Sequence, residues 1–170
     1  MLIQAANENT IEYSVELIED PGLLNTLSNL CPREGSFCIN LESAYCYLKI
    51  DDRFVLEFFS HMKEKLKEEI ELPTYFSNPT IGAHISIIYP EEIKTEDMQD
   101  MLKNESQASL HTFDVSQFIK ISVFNKTYYV LSVLSPSLET VRKKYELPTL
   151  LNFKGLLVPF HITLAIKRHL

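Results

Sequence analysis

Apolar and polar positions in this 170-residue chain switch between a period of two and a period near 3.6, and each switch predicts a strand or a helix. Ala44-Tyr45-Cys46-Tyr47-Leu48-Lys49-Ile50 alternates as a strand, with Ala44, Cys46, Leu48 and Ile50 on one face and Tyr45, Tyr47 and Lys49 on the other. A helix follows, capped by Asp52. Its buried stripe is Phe54, Val55, Phe58, Phe59, Met62, Leu66 and Ile70, its wet side is the KEKLKEE run, and it stops near Pro73. Gly82 to Pro90 predicts a short strand closed by proline, and Thr95 caps a second helix carrying Met98, Met101 and Leu102.

The second half repeats this outline. Phe113 to Phe124 predicts a strand with a break near Gln117, Asn125-Lys126 a turn, and Thr127 to Leu134 the hairpin partner. Ser135-Pro136 opens a helix, with serine as the cap and proline at the first helical position. Leu138, Val141 and Tyr145 mark its stripe, and Leu147-Pro148 ends it. After a loop, Phe160 to Lys167 forms the last strand. The sum is a duplicated α+β unit, strand–helix–strand twice over. Residues 1–43 read differently. TIEYSVELIED predicts a short strand, GLLNTLSNL a short helix ending at Cys31-Pro32, and REGSF a break at Gly35. This stretch is expected to be an N-terminal extension packed on a main domain at 44–170.

Composition narrows the class. Hydrophobic residues make up 45 %, enough for a packed core. A chain of this length buries roughly 70 % of its unfolded surface. No apolar run reaches the roughly 18 residues of a membrane span, and the first twenty residues turn polar and then acidic, unlike a secretory leader. Cys31, Cys38 and Cys46 are odd in number and match neither a disulfide framework nor a zinc pattern, which suits a reducing cytoplasmic setting. Sixteen basic against 23 acidic residues leave a net charge of −7, which argues against a charge-driven grip on duplex DNA. None of the four glycines falls in a GxGxxG or P-loop arrangement.

Two short motifs carry chemistry. His84-Ile85-Ser86 and His161-Ile162-Thr163 stand 77 positions apart, each opening the closing strand of one repeat. In a strand, residues i and i+2 share a face, so each motif sets an imidazole beside a hydroxyl while Ile85 and Ile87, and Ile162 and Leu164, point into the core. If the two strands are neighbours, two imidazoles and two hydroxyls converge. Near neutral pH one imidazole can accept a proton from a nucleophile and the other can donate to a leaving oxygen. The hydroxyls can donate to the non-bridging oxygens of a phosphate. No third metal ligand is evident at a suitable spacing, so neither metal nor cofactor is expected. No G-x-S-x-G elbow is present either.

The pair HIS at 84–86 and HIT at 161–163, each among hydrophobic strand residues, resembles the two-histidine (2H) phosphoesterases. These include RNA-end cyclic phosphodiesterases, the RNA 2′-5′ ligase type, 2′,5′-oligoadenylate phosphodiesterases and phage nucleases that degrade cyclic oligonucleotide signals. The resemblance covers residues 44–168. It implies a bilobal α+β fold of duplicated β-α-β units, with antiparallel sheets around a central cleft. His84 and His161 match the catalytic histidines, and Ser86 and Thr163 the phosphate-holding hydroxyls. The implied reaction is metal-independent cleavage of a phosphodiester in a small nucleotide or RNA end. The alternative is a module that binds such a nucleotide in the same cleft without turnover. A monomer with no membrane partner is expected.

Tyr45, Tyr47 and Lys49 are substrate-binding candidates if their face lines the cleft, through base stacking and a phosphate contact. Lys167 shares the parity of His161 and Thr163 and is a candidate for the far end. Tyr89 has the parity opposite to His84 and is expected to pack unless Pro90 redirects it. Phe153 and Phe160, beside the second motif, are expected in the core, with the border of a base pocket as the alternative. His61, His111 and His169 are assigned no role.

Overall fold

The computed structural model describes residues 4–5, 13–76, 81–105 and 109–169. Eleven strands and four α-helices are described: β1 (Gln4–Ala5), β2 (Tyr13–Leu17), α1 (Pro21–Leu30), β3 (Glu34–Ile39), β4 (Cys46–Lys49), α2 (Arg53–Leu66), β5 (His84–Ile88), α3 (Glu96–Lys103), β6 (Leu110–Thr112), β7 (Asp114–Val123), β8 (Lys126–Leu134), α4 (Pro136–Lys144), β9 (Leu151–Phe153), β10 (Leu156–Val158) and β11 (His161–Arg168). The fold is α+β. Its main sheet is antiparallel in the order β2-β7-β8-β11-β5-β4-β3-β6, and a small sheet runs β1-β10-β9.

The main sheet is symmetric about the β11–β5 junction. Outward from it stand a histidine strand, the strand preceding a crossover helix, and that strand's hairpin partner, on each side. The join is narrow, with one registered pair, Ile162 opposite Ile85. The crossover helices interlock: α2, which leads into β5, packs on β11, and α4, which leads into β11, touches β5. Their apolar stripes and the inner face of the sheet form one core, in which Ile85, Ile87, Ile162 and Leu164 are fully buried.

Local chemistry accounts for the helix starts. The Thr95 hydroxyl accepts from the Met98 N–H at 3.1 Å, and the Ser135 hydroxyl from the Leu138 N–H at 3.4 Å with Pro136 behind it. Asp20 caps α1 by accepting from the Leu23 N–H. α2 ends at Lys67, in the left-handed region at φ 49°, several residues before Pro73. No described helix is long and apolar enough to cross a membrane.

Residues 13–39 pack on the rest of the chain by joining its main sheet: β2 extends the sheet beside β7, and β3 pairs with both β4 and β6. Gly35 does not break the strand pattern. It sits within β3, where a Cβ would stand 2.5 Å from the Lys49 carbonyl oxygen, so only glycine allows this approach to β4. The turn between β7 and β8 is Phe124-Asn125, one place earlier than expected, with Phe124 at φ 54°. The expected break near Gln117 is a register shift between Val115 and Gln117. The segment expected as a loop before β11 contains the β9–β10 hairpin. Its two-residue turn is Lys154-Gly155, both at positive φ, as the right-handed twist of a hairpin demands.

Candidate active site

Pairing of Ile162 with Ile85 in an antiparallel register brings His161 across from Ser86 and Thr163 across from His84. Directly opposed side chains in such a ladder are roughly 4.5–5.5 Å apart at Cβ. His84, Ser86, His161 and Thr163 all line one cavity of about 570 Å3 on the face of the sheet away from the core. Both histidines are held in the same way. The His84 Nδ1–H donates to the carbonyl of Gly82 at 2.9 Å, and the His161 Nδ1–H to that of Pro159 at 3.0 Å. A carbonyl only accepts, so each Nδ1 carries the proton, and in the neutral ring each Nε2 is the nitrogen with an open lone pair. Neither Nε2 has a protein partner among the described residues.

Burial governs both imidazoles. His161 is 5 % exposed, and loss of hydration pushes its pKa below the ordinary 6.5, with the charge of His84 adding to the effect. The same desolvation lowers His84, against the Gly82 carbonyl, which favours its charged form. The ring surroundings differ. The edges or faces of Tyr75, Tyr47 and Tyr45 surround His84 at centroid distances of 4.5, 5.7 and 6.1 Å, whereas Phe153 meets His161 at 5.0 Å. Tyr75 also donates to the backbone carbonyl of Thr163, tying the first half of the site to the second.

The other expected binding residues fall elsewhere. Tyr45 and Tyr47 do lie on the face of the sheet that carries His84, but behind the cavity lining. The Tyr45 hydroxyl is 2.7 Å from Ser86 Oγ, and its ring stacks between those of Tyr47 and Tyr89. Lys49 does not face the cavity, because its Nζ donates to Asp52 Oδ1 at 3.1 Å and to the Ile81 carbonyl at 2.6 Å. Lys167 pairs with Glu68 at 3.1 Å. A register shift between Thr163 and Ala165 changes the alternation, so Lys167 shares a face with Ala165 and not with His161.

A matching irregularity in β5 brings Tyr89 in. Tyr47 pairs with Ser86 and Cys46 with Ile88, so Ile87 is the extra residue, and both Ile87 and Ile88 are buried in the core. The next residue, Tyr89, therefore returns to the cavity face, where burial pushes its hydroxyl pKa up to about 12. Phe160 is core, as expected, whereas Phe153 lines the cavity.

Tyr75, Glu91, Glu92, Asn152, Lys154 and Gly155 complete the lining and were not candidates from sequence. The hairpin tip had a readable signal in Lys154-Gly155. Tyr75, in a single 3₁₀ turn after Pro73, had none.

Two adjacent central strands of an antiparallel sheet, each opening with a histidine and a hydroxyl turned to a shared cavity, define the paired-histidine class of α+β proteins. A family model described as the Swiss Army Knife, 2H phosphoesterase domain, matches residues 46–170. The chain belongs to this 2H phosphoesterase family. No curated protein and no solved structure matches it.

Proposed function

We propose that the chain is a phosphodiesterase that cleaves a nucleotide phosphodiester by paired-histidine acid–base catalysis, without a metal. The substrate is a 2′,3′-cyclic phosphate, a 2′,5′-linked oligoadenylate or a cyclic oligonucleotide. One Nε2 removes the proton from the attacking hydroxyl or water as its oxygen bonds to phosphorus. The other Nε2–H protonates the oxygen that departs as its bond to phosphorus breaks. Thr163 and Ser86 donate to the non-bridging oxygens. The Tyr45 hydroxyl lies 2.7 Å from Ser86 Oγ, and in the arrangement in which Tyr45 donates, the serine proton is left for the phosphate. The two halves of the sheet act as copies of one unit, packed as two lobes around the cleft.

The observation that carries this reading is the matched Nδ1–H to carbonyl bonding, which aims at one cavity two Nε2 atoms with no protein partner among the described residues. Each proton transfer and the developing phosphate charge then has an assigned side chain, so the scheme is complete without further groups. The cavity volume lies in the range of about 300–1,000 Å3 typical of small-ligand sites. Lys154, exposed at the hairpin tip, is the one cationic side chain in the lining and has no ion-pair partner among the described residues, which suits a phosphate contact.

The test is a screen of chelator-treated protein against 2′,3′-cyclic mononucleotides, 2′,5′-oligoadenylate and cyclic di- and trinucleotides. Turnover of at least one substrate is expected, falling by about 10²–10⁴-fold in His84→Ala and in His161→Ala. Absence of turnover with every substrate, or activity that survives both substitutions, refutes the proposal.

A further inference from the structure

The loop that precedes the first histidine is gripped by two side chains from the other end of the β4–α2 connection. Lys49 Nζ donates to the Ile81 carbonyl at 2.6 Å, and Asp52 Oδ1 accepts from the Ala83 N–H at 2.7 Å. The two side chains bond each other at 3.1 Å. Between these holds lies Gly82 at φ 67°, with no room for a Cβ beside Lys49 Nζ and Asp52 Oδ1.

The peptide unit that joins Gly82 to Ala83 carries two functional bonds. Its N–H donates to Asp52, and its C=O accepts from His84 Nδ1 at 2.9 Å. A peptide unit is planar and trans, so its N–H and C=O point in opposite directions as one rigid body. Fixing the N–H therefore fixes the carbonyl. Asp52 occupies the N-cap position of α2, yet its side chain makes no capping bond. The usual use of an aspartate there is given up for the bond to the loop. His161 has no counterpart. Its Pro159 carbonyl belongs to the peptide unit with Phe160, and no described side chain accepts from the Phe160 N–H.

We infer that Asp52, with Lys49 as its partner, is a positioning residue for His84: through the Gly82–Ala83 peptide it fixes the tautomer and orientation of the imidazole that works on substrate. The inference rests on the proposed activity for its kinetic consequence, but its structural consequence is read without substrate. A carboxylate too short or absent frees the peptide to rotate, the carbonyl leaves Nδ1, and the His84 proton redistributes between the two nitrogens. His161 is untouched.

The experiment compares wild type, Asp52→Ala, Asp52→Ser and Asp52→Asn by two-bond ¹H–¹⁵N spectra of the histidine rings. Wild type is expected to show the Nδ1–H tautomer for both His84 and His161. Asp52→Ala and Asp52→Ser lose the Nδ1–H signature at His84 alone. Serine keeps a capping hydroxyl for α2 but cannot reach Ala83, so it provides a folded variant if alanine does not. Asp52→Asn retains an acceptor for the Ala83 N–H and restores the signature. With a substrate turned over by wild type, the alanine and serine variants lower kcat on the order of 10²-fold while KM stays within about twofold, and asparagine recovers most of the loss. An unchanged His84 signature in folded Asp52→Ser, or equal changes at His84 and His161, overturns the inference. Loss of the His84 signature in a protein that turns over no substrate upholds the positioning and defeats only the proposed activity.

Discussion

Replacing Arg142 with methionine should cost more stability than any other single change in the charged set. Arg142 lies in α4 and is fully buried, which is unusual for a guanidinium. Nη1 donates to the Ile87 carbonyl at 2.6 Å and to Glu92 Oε2 at 3.0 Å, Nη2 to Glu92 Oε1 at 2.7 Å and to the Leu150 carbonyl at 3.3 Å, and Nε to the Pro148 carbonyl. One side chain thus holds the irregular point of β5, the 3₁₀ turn Pro90–Glu92 and the loop after α4. Methionine keeps most of the stem volume but leaves three carbonyls and a carboxylate at 15 % exposure without their donor. Breaking a buried pair in this way costs about 3–5 kcal/mol, a large share of the 5–15 kcal/mol that is typical of a folded chain. At roughly 2–4 °C per kcal/mol for this size, Tm falls by about 6–20 °C. Urea unfolding followed by circular dichroism measures it, with unchanged m-values as the check on two-state behaviour. Arg142→Lys should recover less than half the loss, because an ammonium cannot make the forked contacts. The double variant with Glu92→Gln should be less destabilised than the sum of the singles by at least about 1 kcal/mol, since it removes the stranded charge. A cost below about 1 kcal/mol for Arg142→Met, or strict additivity with Glu92→Gln, would refute the reasoning.

Two further predictions concern histidine burial and the place of β3. The His161 pKa is depressed below 6.5 in the folded state, so on acidification the unfolded chain takes up the proton first; the stability held by the neutral ring is complete above about pH 6.5 and is lost as pH falls toward the folded value. Stability curves between pH 7.5 and 5 should show His161→Gln with a shallower acid limb than wild type, and identical limbs would count against a neutral buried ring. Gly35→Ala places a methyl 2.5 Å from the Lys49 carbonyl oxygen and 2.8 Å from Leu48 Cγ, which should destabilise by about 1–3 kcal/mol; an unchanged urea midpoint would mean that β3 does not lie this close to β4.

What local sequence governs was readable, and what tertiary pairing governs was not. The caps at Thr95 and Ser135, the α2 stripe from Phe54 to Met62 and the inward pointing of Ile85 and Ile162 all follow from nearest-neighbour geometry, and the structure has them, whereas Ile70 lies beyond the end of the helix. The convergence of the HIS and HIT motifs on one cavity needed only that β5 and β11 be neighbours, which their duplicated setting suggested. Parity failed where a strand gained a residue. One extra residue at Ile87 carried Tyr89 to the cavity, and one between Thr163 and Ala165 carried Lys167 away from it. Such a shift is imposed by the partner strand and leaves no mark in the alternation. Lys49 failed for a different reason. Alternation places it opposite the apolar face of β4, but an acidic residue three places on, with a carbonyl from the loop at 81, holds its ammonium.

The near-symmetry of the pairing and the asymmetry of its supports together bear on how one proton is shared. Register alone makes the two halves interchangeable, since each histidine faces the other motif's hydroxyl. An acid and a base, however, must differ in protonation at the same pH. Burial lowers both imidazoles, and a charge on His84 lowers His161 further, so the pair resists holding two protons. Interacting groups of this kind titrate as a unit, and the state with one proton occupies the range between their two apparent values. The surroundings of the two rings differ. His84 has three tyrosine rings within 6.1 Å and a carbonyl that favours its charged form, opposed by the nearby Lys49 ammonium. His161 has one phenylalanine ring beside it and is almost sealed from solvent. The Asp52 carboxylate, 3.1 Å from Lys49 Nζ, offsets part of the ammonium field that opposes a charge on His84, an offset that His161 does not share.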